Sequence, residues 1–252
     1  MKPLGKAFYQ IYKWFLWVPF FLLLTAVLGV LVIALVGVMP VTINRVVPRI
    51  WAKAALWTIP AKPDITGLAS LDTSQPYVIV VNHISQVDIL VLYGWLPLDL
   101  KWVMKQELRK VPVIGWACAS MGHIFIDRAN RSQAAKTLQE MKAKMTSGQS
   151  VLFFPEGTRS RNGEVLAFKK GAFVTAKDLD VAILPITISG TDVILRSDTF
   201  DLQPGCANMV IHHPIGLDIV RTKSADELSM MAKACIQNEL NSKEGVPECI
   251  PV

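Results

Sequence analysis

An uncharged run of 26 residues, Trp14 to Met39, constrains the fold of this chain more than any other part of its sequence. About 20 such residues in a helix cross the hydrocarbon core of a bilayer, so the run is long enough to enter a membrane. Pro19 and two glycines interrupt it, and no small-residue cleavage site closes it, which argues against a signal peptide. The chain therefore combines a membrane-associated segment with the domain that follows.

Charge is distributed unevenly around this apolar run. From Met1 to Pro63 there are seven Lys and Arg residues and no Asp or Glu, whereas the remainder has nineteen basic and twenty acidic residues. The whole net charge of +6 thus lies beside the most apolar segment. This pattern favours an anionic membrane surface over nucleic acid, which would require a basic patch on the folded domain.

Basic residues on both sides of the run bear on its topology. Three lysines precede it, and Arg45, Arg49 and Lys53 follow it. Because basic residues favour the cytoplasmic side, a hairpin that enters one leaflet and returns fits this pattern better than a single span. We therefore predict a membrane-associated helical hairpin in residues 1–62 and an α/β domain in residues 63–252, with a single span as the alternative.

The second arm of the hairpin is predicted at Ile43 to Thr58. Its basic residues recur every four positions and form one stripe, and apolar residues cover the opposite side, with Trp57 nearby. An amphipathic helix of this kind lies in the membrane interface with tryptophan at headgroup level. Pro48 is expected near its first turn, where proline is tolerated. The alternative is an ordinary surface helix packed on the domain.

The rest of the chain alternates between strand-like and helix-like segments. Val78 to Val81 is a run of four β-branched aliphatic residues, typical of a buried strand, and Val87 to Leu96 is apolar enough for a helix packed on it. Ser224 and Glu227 form a capping box at the start of the last helix. This alternation predicts an α/β fold with a mixed, largely parallel sheet flanked by helices.

Polar residues follow three of the predicted strands, which end at Val81, Ile126 and Phe154. In open α/β sheets, functional sites collect at the carboxyl ends of strands, so we expect these residues to share one crevice. The crevice would contain a histidine and a carboxylate, three cations and a glycine turn, namely His83, Asp88, Lys105, Arg128, Arg159 and Gly157. Cations and turn amides together favour a phosphate or another oxyanion.

His83 and Asp88 are a candidate general base and the carboxylate that orients it. Five helical residues advance about 500°, so the two side chains would not share a helix face. The pairing therefore requires His83 in the turn before the helix and Asp88 in its first turn. In the alternative interpretation, Asn82 and Ser85 cap the helix and His83 has no catalytic role. The chain has no G-x-S-x-G elbow, which argues against a covalent serine mechanism.

Four blocks of this sequence, in order, resemble those of the glycerolipid acyltransferases. They are N-H-x4-D at Asn82–Asp88, F-I-D-R at Phe125–Arg128, F-P-E-G-T-R-S at Phe154–Ser160 and I-L-P-I at Ile183–Ile186. The group that they resemble most is the bacterial 1-acyl-sn-glycerol-3-phosphate acyltransferases, whose N-terminal membrane hairpin also fits. The combination of the first three blocks is specific, whereas the fourth is only an apolar strand with a proline.

The resemblance implies catalytic roles for the matched residues. His83 would be the general base on the acceptor hydroxyl and Asp88 would orient it, with direct attack on an acyl thioester and no acyl-enzyme. Asn82 would support the turn. Pro185 would position the strand wall beside the acyl donor.

The resemblance also implies an acceptor site. Arg128 and Arg159, helped by Lys105, would bind the phosphate of the acceptor. Glu156 and Gly157 would shape the acceptor pocket.

The implied reaction is acyl transfer from acyl-CoA or acyl carrier protein to the free sn-2 hydroxyl of 1-acylglycerol 3-phosphate, giving phosphatidic acid for phospholipid synthesis. No cofactor is expected beyond the acyl donor as co-substrate. The expected location is the cytoplasmic face of the inner membrane. Alternatives are glycerol 3-phosphate or a lyso-ornithine lipid as acceptor, and a lipid-binding protein without catalysis.

No metal site is expected. The four cysteines are widely spaced without a C-x-x-C pair, which indicates reduced thiols rather than a disulfide framework or a zinc site. His212 and His213 are adjacent on a predicted strand and would point to opposite faces. His123 lies in an apolar strand and is interpreted as a core residue.

Overall fold

A seven-stranded sheet forms the centre of the computed structural model, which describes residues 9–59, 61–127, 130–144, 148–161, 163–197 and 199–242. The strands lie in the order β1-β7-β6-β2-β5-β3-β4. They are β1 Ala61–Thr66, β2 Tyr77–Val81, β3 Asp99–Lys105, β4 Ile124–Ile126, β5 Gln149–Phe153, β6 Ala182–Ser189 and β7 Gly205–Ile211. Neighbouring strands run parallel except β6 and β7, so the predicted mixed, largely parallel sheet is confirmed.

Helices cover both faces of this sheet. They are α1 Val18–Leu35, α2 Pro40–Trp57, α3 Val87–Trp95, α4 Ile114–Ser120, α5 Arg131–Lys144, α6 Gly171–Leu179, α7 Thr191–Ile194, α8 Leu217–Thr222 and α9 Ala225–Ser242. Short 3-10 helices occupy Leu68–Ser70 and Gln106–Lys110. A π-helical turn at Lys13–Trp17 precedes α1 within one continuous helix, Tyr9–Leu35, which we call the N-terminal helix.

Strand β2 is buried on both faces, as its run of β-branched residues predicts. Ile79 and Val81 face a core formed with α2 and α3, and Val78 and Val80 face a second core formed with α6 and α9. The carboxyl end of β2 is therefore held between two packed layers. The loop after β2, which carries His83, consequently begins at a fixed point in the fold.

The N-terminal helix is long and apolar enough to cross a membrane by length and composition. Only 11% of its most apolar 18-residue window is buried in the protein, and Phe15, Leu23 and Val27 are exposed. Helix α2, by contrast, buries Ala52, Ala55 and Leu56 in the core. The boundary at residue 62 stays a prediction.

The expected position of Pro48 in the second arm is wrong. Helix α2 begins at Pro40, whose fixed φ and missing N–H suit the first position of a helix. Pro48 consequently lies in the helix interior. The predicted capping box at α9 is present, since Glu227 N–H donates to Ser224 Oγ and Ser224 N–H donates to Glu227 Oε2.

Candidate active site

His83 and Asp88 meet at the carboxyl end of β2. His83 lies in the loop after the strand, Asp88 lies in the first turn of α3, and Nδ1 of the imidazole is 2.7 Å from Oδ2 of the carboxylate. Asp88 is fully buried, whereas 15% of the His83 side chain is exposed. The five-residue spacing predicted this arrangement, with His83 before the helix and Asp88 in its first turn.

The buried carboxylate of Asp88 is surrounded by hydrogen-bond donors. Its Oδ2 also accepts the N–H groups of Ile84 at 2.9 Å and Ser85 at 3.0 Å, and its Oδ1 accepts the hydroxyl of Thr191. Because an ionised carboxylate only accepts, Nδ1 of His83 carries the proton in this pair. The lone pair of Nε2 is thereby left to act as a base.

The imidazole of His83 also stacks on the ring of Phe154. The two ring centroids are 3.8 Å apart and the planes differ by 12°. Trp102 in turn contacts the ring of Phe154, with centroids 5.7 Å apart. The stack and the Asp88 bond together hold the imidazole in one orientation.

Glu156 stabilises the loop that carries His83 through hydrogen bonds to backbone amides. Its Oε1 accepts the N–H of His83 at 2.9 Å, and its Oε2 accepts the N–H of Leu166 at 3.0 Å. Burial raises the pKa of the Glu156 carboxyl above its usual range, and the two amide hydrogen bonds act in the opposite direction. Ser160 N–H donates to His83 O at 2.8 Å, so the loops after β2 and β5 are joined twice.

Asn82 joins the end of β2 to β6. Its side-chain amide donates to Ile188 O and accepts the Ile188 N–H, both at 2.8 Å. Pro185 lies on the same strand, buried and opposite Val80 in the sheet register. The predicted support of the turn by Asn82 and the predicted role of Pro185 beside the acyl donor stay predictions.

Two of the three predicted phosphate-binding cations, Arg159 and Lys105, lie within the described residues and differ in position. Arg159 is half-buried, its Nη1 donates to Ser197 O at 2.9 Å, and its neighbour Ser160 contacts the His83 loop. Lys105 is exposed at the end of β3, where its ammonium group pairs with Glu107 at 3.1 Å. Arg128 lies outside the described residues. Of the described pair, only Arg159 is tied to the loop of the candidate base.

Gly157 has a φ of +74°, a left-handed conformation that suits glycine, in the turn closed by its N–H to Phe154 O. A Cβ at this position would lie 2.6 Å from Nζ of Lys169. The ammonium group of Lys169 therefore lies against the same turn that carries Arg159. It is a further cation beside the candidate site, and sequence reasoning missed it.

Thr191, Phe154 and Ser197 were also missed as site residues. Thr191 is 103 residues from Asp88 in the chain and reaches it only because α7 follows β6, the strand beside β2. Phe154 is the first residue of the F-P-E-G-T-R-S block, but its side chain has no ionisable group that would mark it as a site residue. The only local sign that one of these residues belongs to the site is the position of Thr191, two residues after the end of the buried strand β6.

His123 is a core residue, as expected. Its Nδ1 accepts the backbone N–H of Trp102 at 3.3 Å, and its Nε2 is 2.8 Å from the hydroxyl of Tyr93. Burial, and then the charge of Lys101, lower the pKa of His123 to about 3. Among the described residues, no group of three or more His, Cys, Asp or Glu side chains could hold a metal ion.

Comparisons with known proteins show which sequences this chain is similar to. The family model described as Acyltransferase matches residues 62–189, which contain both His83 and Arg159. A 1-acyl-sn-glycerol-3-phosphate acyltransferase of Chlamydomonas reinhardtii is 36% identical over 197 residues, covering 77% of this chain and 57% of that protein. The alpha form from Mus musculus is 32% identical over 177 residues, covering 69% of this chain and 62% of that protein. The chain thus spans about three-fifths of the length of these relatives.

The fold also matches a solved structure. The crystal structure of the 1-acyl-sn-glycerophosphate acyltransferase PlsC from Thermotoga maritima aligns with a TM-score of 0.79 at 23% identity, covering 97% of this chain and 98% of that one. At this identity the match concerns the fold alone. The family model, which covers half of the sequence, leads to one conclusion: this chain belongs to the acyltransferase family.

Proposed function

We propose that this chain transfers a fatty acyl group from an acyl thioester, acyl-CoA or acyl-ACP, to the sn-2 hydroxyl of 1-acylglycerol 3-phosphate. The observation that carries the proposal is the 2.7 Å contact between His83 Nδ1 and the buried Asp88, next to the loop of Arg159. The names of the relatives, 1-acyl-sn-glycerol-3-phosphate acyltransferases, support the choice of acceptor. The product would be phosphatidic acid.

In the proposed reaction, Nε2 of His83 takes the proton of the acceptor hydroxyl as its oxygen attacks the thioester carbonyl. The new C–O bond forms the ester, the C–S bond breaks, and the departing thiolate takes the proton from the imidazolium. Asp88 stabilises the transient charge on the ring. Because a thioester is already activated, positioning and a general base supply most of the required catalysis.

Arg159 is the proposed ligand of the acceptor phosphate. Its guanidinium group is half-buried and held by the carbonyl of Ser197, so its position is set before substrate binds. A guanidinium group binds phosphate oxygens with charge-assisted hydrogen bonds. Arg128 and Lys105 remain proposed contributors, and Glu156 and Gly157 proposed parts of the acceptor pocket.

We also propose that the N-terminal helix lies in one leaflet of the membrane. Near its start, Lys13 Nζ donates to Phe200 O at 2.8 Å; near its end, a Cβ on Gly29 would clash with Val113 of the domain. Residues 13 and 29 are separated by roughly 24 Å along a helix axis. A helix that crossed the bilayer would carry these two contacts to opposite sides, which one folded domain does not reach. The basic N-terminal quarter of the chain supports a location at the cytoplasmic face of the inner membrane.

The test is an acyl-transfer assay with the full chain in lipid vesicles. Lysophosphatidate, glycerol 3-phosphate and lyso-ornithine lipid are each supplied with acyl-CoA and with acyl-ACP, and thiol release and lipid products are measured. We expect phosphatidic acid from lysophosphatidate, and a loss of about 10²–10⁴-fold in kcat for His83→Ala.

Met230→Ala, on the exposed side of α9, is the matched control and keeps wild-type turnover. Circular dichroism and vesicle sedimentation check that His83→Ala folds and binds membranes. An active His83→Ala enzyme contradicts the proposed base. Thiol release without an acceptor product identifies a thioesterase instead.

A further inference from the structure

The loop between α7 and β7 carries an exposed aromatic side chain beside the N-terminal helix. Phe200 is 73% exposed, and its ring centroid is 6.4 Å from that of Trp14, which is itself 50% exposed. Phe15 and Leu16, the next residues of the helix, are 74% and 63% exposed. Phe200 therefore extends the apolar surface of a candidate membrane helix onto the folded domain. We call residues 195–197 and 199–203 the Phe200 loop.

Lys13 fixes the Phe200 loop to the N-terminal helix. Only 5% of Lys13 is exposed, its ammonium group donates to Phe200 O at 2.8 Å, and it lies 5.2 Å from the ring centroid of Trp14. A cleft of about 470 Å³ lies between Lys13 and Trp14 on the helix and Thr199 and Asp201 on the loop. Beside this cleft, the Lys13 bond and the Trp14–Phe200 ring contact join the two elements.

The other end of the Phe200 loop holds the candidate active site. Ser197 accepts Nη1 of Arg159 on its carbonyl at 2.9 Å, and its hydroxyl donates to Ile84 O at 2.7 Å. The carbonyl of Leu195 accepts the hydroxyl of Ser85 at 2.7 Å. The Phe200 loop thus contacts the N-terminal helix at Phe200, and it contacts Arg159 and the loop that carries His83 at Ser197.

We propose that the Phe200 loop docks on the lipid bilayer through Phe200 and Trp14, and thereby passes acceptor lipid from the bilayer to Arg159. This inference rests on the proposed acyl transfer. A bilayer is the occupant favoured here because the exposed rings continue the uncharged surface of the N-terminal helix, and because the first 63 residues, which include this helix, carry basic but no acidic side chains. Tryptophan, the residue type at position 14, is enriched at membrane–water interfaces.

Docking is tested first without reference to activity. The photo-crosslinker p-benzoylphenylalanine is placed at position 200 or, as the matched control, at position 230, where Met230 is 64% exposed on α9. The full chain is irradiated with vesicles of phosphatidylethanolamine and phosphatidylglycerol, and adducts are identified by mass spectrometry. We expect lipid adducts from position 200 at least tenfold above those from position 230. Equal adducts at both positions, or protein–protein adducts alone from position 200, overturn the proposal.

The kinetic consequence is tested with Phe200→Ser and Met230→Ser. Burying a phenyl ring in the interface favours binding by a factor of about ten or more, so Phe200→Ser is expected to raise the KM for vesicle-borne lysophosphatidate about tenfold. With a short-chain lysophosphatidate dissolved as monomers, its kinetics stay within about twofold of wild type, since the Lys13 bond is to the backbone. Met230→Ser changes neither KM.

An equal KM for Phe200→Ser and wild type on vesicles overturns the proposal, and so does an equal loss on both acceptors. Absence of acyl transfer in the wild-type enzyme instead refutes the proposed function. The crosslinking result still decides whether the loop docks on lipid.

Discussion

The phenyl ring of Phe154 lies flat against the imidazole of His83, with centroids 3.8 Å apart and planes within 12° of each other. His83 follows β2 and Phe154 follows β5, the neighbouring parallel strand. The stack is therefore a consequence of strand order. It restrains the imidazole in the plane from which Nδ1 reaches Asp88.

Phe154→Leu is expected to lower kcat by about two- to tenfold, because an aromatic pair is worth roughly 0.5–1.5 kcal/mol beyond its buried area. The acceptor KM should change less than twofold, since the phenyl ring orients the base rather than the phosphate. Phe154→Tyr, which keeps the stacking face, is the control. Steady-state kinetics of the three enzymes check this, and an unchanged kcat in Phe154→Leu contradicts it.

Thr191 donates a hydrogen bond to Oδ1 of Asp88, and we expect it to position that carboxylate. A hydrogen bond to a charged group contributes roughly 1.5–3 kcal/mol, so Thr191→Val is expected to lower kcat by about 10–100-fold. Thr191→Ser keeps the hydroxyl and should restore most of the activity. Thermal unfolding of both variants separates lost folding from lost orientation. Equal activities of the Val and Ser variants would refute the role.

Arg159→Ala should discriminate between acceptors. We expect a fall of about 10–100-fold in kcat/KM with lysophosphatidate, because a charge-assisted hydrogen bond to phosphate is lost. With monoacylglycerol, which has no phosphate, the variant and wild type should have similar kcat/KM. The measurement is a parallel assay with both acceptors. An equal loss on both would assign Arg159 a structural role through Ser197 instead.

Lys169 and Lys170 offer a matched pair of substitutions. Lys169 lies against the Gly157 turn, whereas Lys170 pairs with Asp226 on α9 at 2.8 Å. Lys169→Gln is expected to raise the KM for lysophosphatidate severalfold, about three to ten times, with a weaker effect at high salt because exposed charges are screened. Lys170→Gln should leave that KM unchanged. Similar values for both variants would exclude a role of Lys169 in acceptor binding.

Because His123 is buried, we expect the free energy of unfolding to fall at acid pH. Burial lowers its pKa to about 3, so below pH 6.5 the unfolded chain takes up a proton at this residue that the folded chain does not. The contribution of neutral His123 to the free energy of unfolding is fully present above pH 6.5, and it is lost as the pH falls toward 3. From pH 7 to pH 5 we expect a loss of about 2 kcal/mol in the free energy of unfolding.

Urea unfolding in detergent at the two pH values measures this difference. His123→Gln removes the titrating group, so its free energy of unfolding should change less between pH 7 and pH 5. The variant should nevertheless be less stable than wild type at pH 7, because it disturbs the bonds to Trp102 and Tyr93. An equal pH dependence in both proteins contradicts the assignment.

Local patterns in the sequence predicted a mixed, largely parallel sheet, the alternation of strands and helices, and the pairing of His83 with Asp88. They did so because strand periodicity, β-branched runs and capping residues act over a few positions. The same kind of pattern misplaced Pro48, because the apolar periodicity of α2 does not reveal that the helix starts at Pro40.

The sequence by itself therefore determined an α/β domain with a basic, apolar N-terminal segment and a histidine–carboxylate pair at a strand end. Only the tertiary structure decided what surrounds that pair. Thr191, Phe154 and Ser197 reach it through strand order and through a loop that crosses from α7 to β7. These contacts join residues that are far apart in the chain, and they form only when the packed sheet places neighbouring strand ends side by side.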